Sequence, residues 1–561
     1  MKFIHGLTFG VSIAVVVSCS SSPSYRGADI PNGSGGGSGG GGFISGSGGG
    51  TGGGTSAGCT STAQCTPGWT CDNGTCVAPE VETNTGLGDA PPVATPRYVY
   101  ALNPTAASVA RIDPTSLQIE AVPVGPRPVG LSALPGEDAA VVLSLDDGSL
   151  SVLDSTTLKV TRVALKRQYA KLSVSPDGKF AAAWPDPTTA PASGAEGIFA
   201  LVDLGKVRSG ASEAVQERAG GYRITNMIFR TQAGVATALH VFAKATVSTF
   251  DLVSGAALPA RLPLPASMSA DVSSREVVAS ADGRIIMLRS TVSPELASFD
   301  GTRIDTVPLS EIATDLDLVP DGTAAVAALR SSGSVAYIRV PADLIDPTGI
   351  ATIALDGGVV GQIALPPQMP DAGMFALVYS SVTDAESFAR IDLPSGVVTR
   401  YPLEKKVAEI ALSPDGRSAL IIHQPNPATT ATDPYEAAVD RDQGFSVFDV
   451  GSGFWQLQRT GTTRPTRFAF SPAGGFVGVA LRDDAIKRYQ LMAVNLSSLV
   501  STTLPLASTP LFMGTVPPTP GVTPHRVFVS QDHPAGRISV IQLDTGQVRT
   551  ATGFTLNGEI E

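Results

Sequence analysis

The chain has 561 residues, of which 43% are hydrophobic and 16% charged, with 60 Gly, 43 Pro and a formal net charge of -11. Val, Leu, Ile and Ala along most of the length exclude a disordered chain, and the scattered prolines exclude a coiled coil or long-helix protein. The acidic balance provides no basic footprint for nucleic acid, which is not expected as a partner.

Met1-Lys2 is a short basic start, and Phe3 to Val17 is an apolar run of fifteen residues. That is short for a spanning helix and suits the apolar core of a signal peptide, here residues 1–18. The run ends in Val16-Val17-Ser18-Cys19 and passes at once into Ser-rich sequence. This ending resembles the lipobox of bacterial lipoproteins. The resemblance implies that Cys19 becomes the first mature residue and carries acyl chains, several of which hold a protein firmly at a membrane. Position 20 is Ser rather than Asp, which in enteric-type bacteria would imply the outer membrane. The lipid is the expected anchor and the cell envelope the expected location.

Residues 19–58 form a tether. From Gly33 to Gly58 there are 16 Gly in 26 residues, mixed with Ser and Thr. Such a segment buries no core and behaves as a flexible coil with a mean reach of about 35 Å. The other four cysteines follow at Cys59, Cys65, Cys71 and Cys76, within residues 59–78. The spacing is C-x5-C-x5-C-x4-C, so only Cys71 and Cys76 have a spacing usual in zinc sites, and an exported chain, which sits where disulfides persist, is expected to hold two disulfides here rather than a metal. The segment resembles the short four-cysteine modules of bacterial surface stalks. Connectivity does not follow from the sequence; the interleaved arrangement, Cys59 with Cys71 and Cys65 with Cys76, is the expectation. Residues 79–96 read as a linker.

From residue 97 to 561 one phrase recurs. A short apolar strand leads to a Pro-Asp-Gly-like turn, a more apolar strand follows, a third strand ends in Asp, and a fourth alternates. The residue closing the third strand can be counted along the chain: Asp113, Asp154, Asp203, Asp251, Asp300, a degenerate copy near Asp343, then Asp392, Asp449, Asn495 and Asp544. Asp or Asn there suits a turn start, because the short side chain bonds the backbone two residues on. The first turn recurs as Ser175-Pro-Asp-Gly178, Pro320-Asp-Gly322, Ser413-Pro-Asp-Gly416 and Ser471-Pro-Ala-Gly474.

Four short strands per period of 40–50 residues predict an all-β fold, a β-propeller of about ten four-stranded units. A single ring is favoured over two smaller ones. Unit one starts at Tyr98 with no first strand before it, and Phe554–Ile560 is left over at the other end. The ring is therefore expected to zip shut with that last segment, which would remove the exposed edges. Ser108-Val-Ala-Arg-Ile-Asp-Pro-Thr followed by Val124-Gly-Pro-Arg-Pro-Val-Gly resembles the YVTN class of bacterial propeller repeats.

Two insertions, around 185–197 and 424–444, join strands two and three of units three and eight and rise from one face. Two more, near 366–373 and 517–524, lengthen first turns on the opposite face. Long loops in a short-looped fold are candidate binding loops. Their polar residues make Asp186, His423, Asp433, Glu436, Asp440 and Asp442 the candidate binding residues. The acidic set lacks the D-x-D-x-D-G frame of a calcium loop, and neither a metal nor a cofactor is expected. The function expected is a non-catalytic envelope lipoprotein whose propeller binds a protein or glycan partner. The alternative is a hydrolase similar to the lactonase-like propellers, which share the YVTN repeat.

Overall fold

The computed structural model describes residues 70–72, 75–77, 92–189, 196–258, 261–357, 359–368, 373–393, 395–518 and 525–554. Two short strands, Thr70–Asp72 and Thr75–Val77, pair antiparallel as a hairpin with Cys71 opposite Cys76 in the backbone register. Cys19, Cys59 and Cys65 lie outside the described residues.

The remainder is a propeller of ten blades, each a four-stranded antiparallel sheet whose strands follow one another in chain order. Blade three shows the local logic. Lys171–Val174 is the inner strand, Phe180–Trp184 the second, Ile198–Asp203 the third and Val215–Ala219 the outer one. The second strands are the most apolar because both of their faces meet another blade. Ala139–Ser144 and Ala324–Leu329 are buried at every position. Outer strands such as Val397–Pro402 have no buried residue and carry the polar alternation of a wet edge.

The sequence count of ten units coincides with the ten blades, and the closing residues start turns as expected. The Asp154 carboxylate accepts the amides of Thr156 at 3.0 Å and Thr157 at 2.9 Å, and Asn495 does the same for Ser497 and Ser498. The degenerate copy differs. The third strand of blade six, Ser334–Arg339, ends before Asp343, which is buried and accepts from the Arg339 backbone at 2.7 Å and its guanidinium. In the first turns a buried serine organises the corner. The Ser175 hydroxyl donates to Asp177 at 2.7 Å and accepts the Phe180 amide at 2.9 Å, while Gly178 takes a φ of +69° that favours glycine.

The core is not one mass. It is ten apolar clusters, one at each blade-to-blade interface. The tenth closes the ring, where Val99, Ala101 and Ile112 of blade one pack against Val516, Phe528, Val540 and Phe554 of blade ten. The Arg549 guanidinium on the last strand donates to the Thr115 carbonyl of blade one across the same seam.

This closure corrects the zipper expectation. Blade one has its own inner strand, Val93–Ala94, paired to Val99–Asn103. It begins four residues before the boundary placed at residue 97, and it is too short to show a period. Blade ten completes itself with Gln547–Thr552. Among the described residues no strand is borrowed, and the seam is joined by side-chain packing. Residues 555–561 lie outside the described residues.

Connections between strands two and three share one face with the blade-to-blade connections, here called the upper face. The chain enters blade one from this face at Val93. Turns between strands one and two, and between three and four, form the lower face.

Candidate functional site

Both long insertions lie on the upper face, in blades three and eight, five blades apart in the ring of ten. The first walls a cleft of about 620 Å³ between blades three and four. One side is the segment Pro185–Thr189, and the other is the connection carrying Tyr222 and Arg223.

The cleft is fastened at its rim and at its base. Asp186 accepts the Thr188 amide at 2.9 Å and the Thr188 hydroxyl at 2.7 Å, and pairs with Lys171 of the inner strand at 3.1 Å. Burial opposes ionisation of Asp186, but the two bonds from Thr188 and the Lys171 ammonium outweigh it and hold the carboxyl below its usual range. The Arg223 guanidinium donates to the Pro187 carbonyl at 2.9 Å, tying the insertion to blade four. At the base, Gly197 and Gly221 touch backbone to backbone. A Cβ on Gly197 would fall 2.2 Å from the Gly221 carbonyl oxygen. Gly221 has a φ of +117° and Arg223 one of +53°. A non-glycine residue held at positive φ costs of order 1 kcal/mol or more and persists where its surroundings over-determine it. The result is that Tyr222 is turned outward and left 63% exposed. Just before Pro185, the buried Trp184 indole N–H has no hydrogen-bond partner among the described residues.

The second insertion is not a free arm. Its central residues form a helix, Pro434–Arg441, with Asp433 as N-cap accepting the amides of Tyr435 at 2.8 Å and Glu436 at 3.0 Å. Buried Lys405, from the connection between blades seven and eight, donates to the carbonyl oxygens of Val439 at 2.5 Å and Asp440 at 2.9 Å. The Asp440 carboxylate accepts the Thr429 hydroxyl. Asp442 receives the Arg459 guanidinium through Nε at 2.9 Å and Nη2 at 2.6 Å.

The six candidate residues therefore separate. Asp186 lines the cleft. Asp433, Asp440 and Asp442 fasten the helix, and Glu436 is exposed in its first turn. His423 is buried at the end of the second strand of blade eight. Its Nδ1 donates to the Lys406 carbonyl at 3.1 Å and its Nε2 accepts the Ser446 hydroxyl at 2.7 Å. Burial pushes its pKa down to about 4, so it is neutral at pH 7. Sequence reading missed Tyr222, Arg223 and Lys405. The available signal was Gly220-Gly221 directly before an aromatic residue.

Other buried charges serve the ring. Asp315 on the inner strand of blade six accepts the Ile363 amide of blade seven at 2.8 Å. Arg275 donates to the carbonyls of Ala243, Lys244 and Met268, binding blade five to blade four. Among the described residues no group of three or more His, Cys, Asp or Glu side chains is placed to hold a metal ion. No helix among them is long and apolar enough to cross a membrane.

Neither a protein-family model nor a curated protein matches the chain. Among solved structures it resembles a dihydro-heme d1 dehydrogenase, NirN, in complex with DHE, at 15% identity and a TM-score of 0.39, over 77% of this chain and 81% of that one. It also resembles a eukaryotic initiation factor, at 11% identity and a TM-score of 0.45, over 71% and 94%. A third likeness is to apo AztD from Citrobacter koseri, at 11% identity and a TM-score of 0.34, over 64% and 92%. Likeness at this level carries nothing about ligand or chemistry.

Proposed function

We propose that the chain is a non-catalytic lipoprotein of the bacterial cell envelope, anchored through acylated Cys19 at the outer membrane, whose propeller is a scaffold for a protein or glycan partner. The observation that carries the binding role is the placement of both long insertions on one face, each fastened to the ring. One is clamped into a cleft wall by Lys171 and Arg223, and the other is docked as a helix by Lys405. A ring that holds its loops in place presents a preorganised surface, which lowers the entropy cost of capture. Three acids of the second insertion, Asp433, Asp440 and Asp442, are spent on capping and pairing, which supports a structural role for them. The lipobox-like ending at Cys19 supports the anchor.

The test replaces 186–196 and 425–441 with short turns in the full chain, with Lys405→Met added so that no ammonium is left buried without acceptors. The altered protein should keep its thermal transition and lose capture of a partner from envelope extract. Capture equal to the parent's would refute the upper face as the working face. Labelled palmitate should enter the parent and not Cys19→Ser.

A further inference from the structure

We propose that the cleft between blades three and four is a saccharide site with Tyr222 as its stacking platform. The inference rests on the scaffold reading above and narrows it to one ligand class at one place.

The cleft offers little to a peptide strand or a strongly charged ligand. Three of its main-chain carbonyls are already used. The Tyr222 carbonyl accepts the Lys244 amide at 2.9 Å, the Gly197 carbonyl accepts the Gly220 amide at 2.8 Å, and the Pro187 carbonyl accepts Arg223. Pro185 and Pro187 have no N–H to give. An extended peptide that binds by adding a strand needs free backbone partners, and these three carbonyls and two prolines offer it none. The charged side chains are also occupied. Asp186 pairs with Lys171 at 3.1 Å, and Arg223 lies 3.7 Å from Asp271. A strongly charged ligand meets no unpaired counter-charge from either.

What remains suits a neutral polyhydroxylated ring. Tyr222 presents an outward aromatic side chain whose face can take the axial C–H face of a pyranose. Its backbone is held by Gly221 at φ +117° and Arg223 at φ +53°, so the platform is set before a ligand arrives. Thr188 borders the cleft with a hydroxyl oxygen that can accept a hydrogen bond from a sugar hydroxyl. A volume of about 620 Å³ falls in the range of about 300–1,000 Å³ usual for small-ligand sites.

The experiment uses the full-length protein in detergent on an array of immobilised bacterial and plant oligosaccharides, followed by calorimetry with the strongest binder in solution. The inference expects at least one saccharide to bind. Tyr222→Ala should weaken it about tenfold or more and Tyr222→Phe should hold it within about twofold, because the ring face is kept. Tyr435→Ala, removing a comparably exposed aromatic on the blade-eight helix, should leave it unchanged. Tyr222 is exposed, so the alanine variant should unfold at the parent's temperature. A silent array, or equal binding by Tyr222→Ala, overturns the saccharide site. If the array is silent but insertion-dependent capture of a protein partner persists, the saccharide site falls and the scaffold reading stands. Loss of both sinks the two together. Capture of a peptide through Tyr222 with no saccharide bound likewise overturns the inference.

Discussion

The Lys405 ammonium donates to the Asp440 carbonyl oxygen at 2.9 Å, at the C-terminal end of the helix Pro434–Arg441. A cation at that end meets the negative pole of the helix and the carbonyls left without an intrahelical partner. Burial holds the Lys405 pKa below its usual value, while Asp440 and Asp442 act against that shift. One side chain from the connection between blades seven and eight therefore fastens an insertion that starts nineteen residues later.

Lys405→Met keeps the stem and removes the donor. The carbonyls of Val439 and Asp440 then lose it, a loss of about 1–3 kcal/mol. The effect should be local. Amide exchange and protease cleavage should rise across 425–441, while the main thermal transition of the ring moves little. Equal protection in the variant and the parent would show that the helix is held by something else.

Two histidines make stability depend on pH. Burial pushes His423 and His240 down to about 4 from an ordinary value of 6.5. Each is neutral in the folded protein, and the unfolded chain binds more protons between those values. The stability from each neutral ring is complete above pH 6.5 and is lost as pH falls toward 4. Between pH 7 and pH 5 the loss should be roughly 2 kcal/mol per histidine. Urea unfolding at the two pH values should show it, and His423→Gln should reduce the difference by about half. An unchanged difference would place the proton uptake elsewhere.

The seam between blades ten and one is closed by packing, so its cost should appear in core substitutions and not in the chain end. Phe528→Ala, at a side chain 1% exposed, should cost about 3–5 kcal/mol. A chain ending at Phe554 should keep its melting temperature within about 2 °C, because blades one and ten both have four strands without the last seven residues. A large drop in that truncation would restore the zipper.

Gly197→Ala tests the base of the cleft. The position has a φ of +73°, and an added Cβ would fall 2.2 Å from the Gly221 carbonyl oxygen. The backbones must part, at a cost of about 1–3 kcal/mol. Acrylamide, measured against the parent, should then reach Trp184 more readily. Gly210→Ala is the control. It has the same φ of +73° but no heavy atom near the added Cβ, so it should cost less and leave the cleft intact.

Much of the ring was legible in the chain because its signals are local. Asp154, Asn495 and their counterparts start turns by bonding amides two and three residues on, so they recur wherever a third strand ends, whatever lies across the sheet. Blade-two residues Ala139–Ser144 read as apolar because both faces of a second strand are covered. The insertions could be placed on their faces because strand order alone assigns each connection to one side. Tertiary structure decided what depends on residues far apart in the chain. Val93–Ala94 is two residues long and becomes a strand only by pairing with blade one. The seam exists because Val99 meets Phe528. Tyr222 becomes a platform because Gly197 and Gly221 touch, and Asp440 becomes part of a fastening because Lys405 reaches it. Such contacts leave no period and no local motif, since each partner satisfies its chemistry with an atom that chain folding brings near.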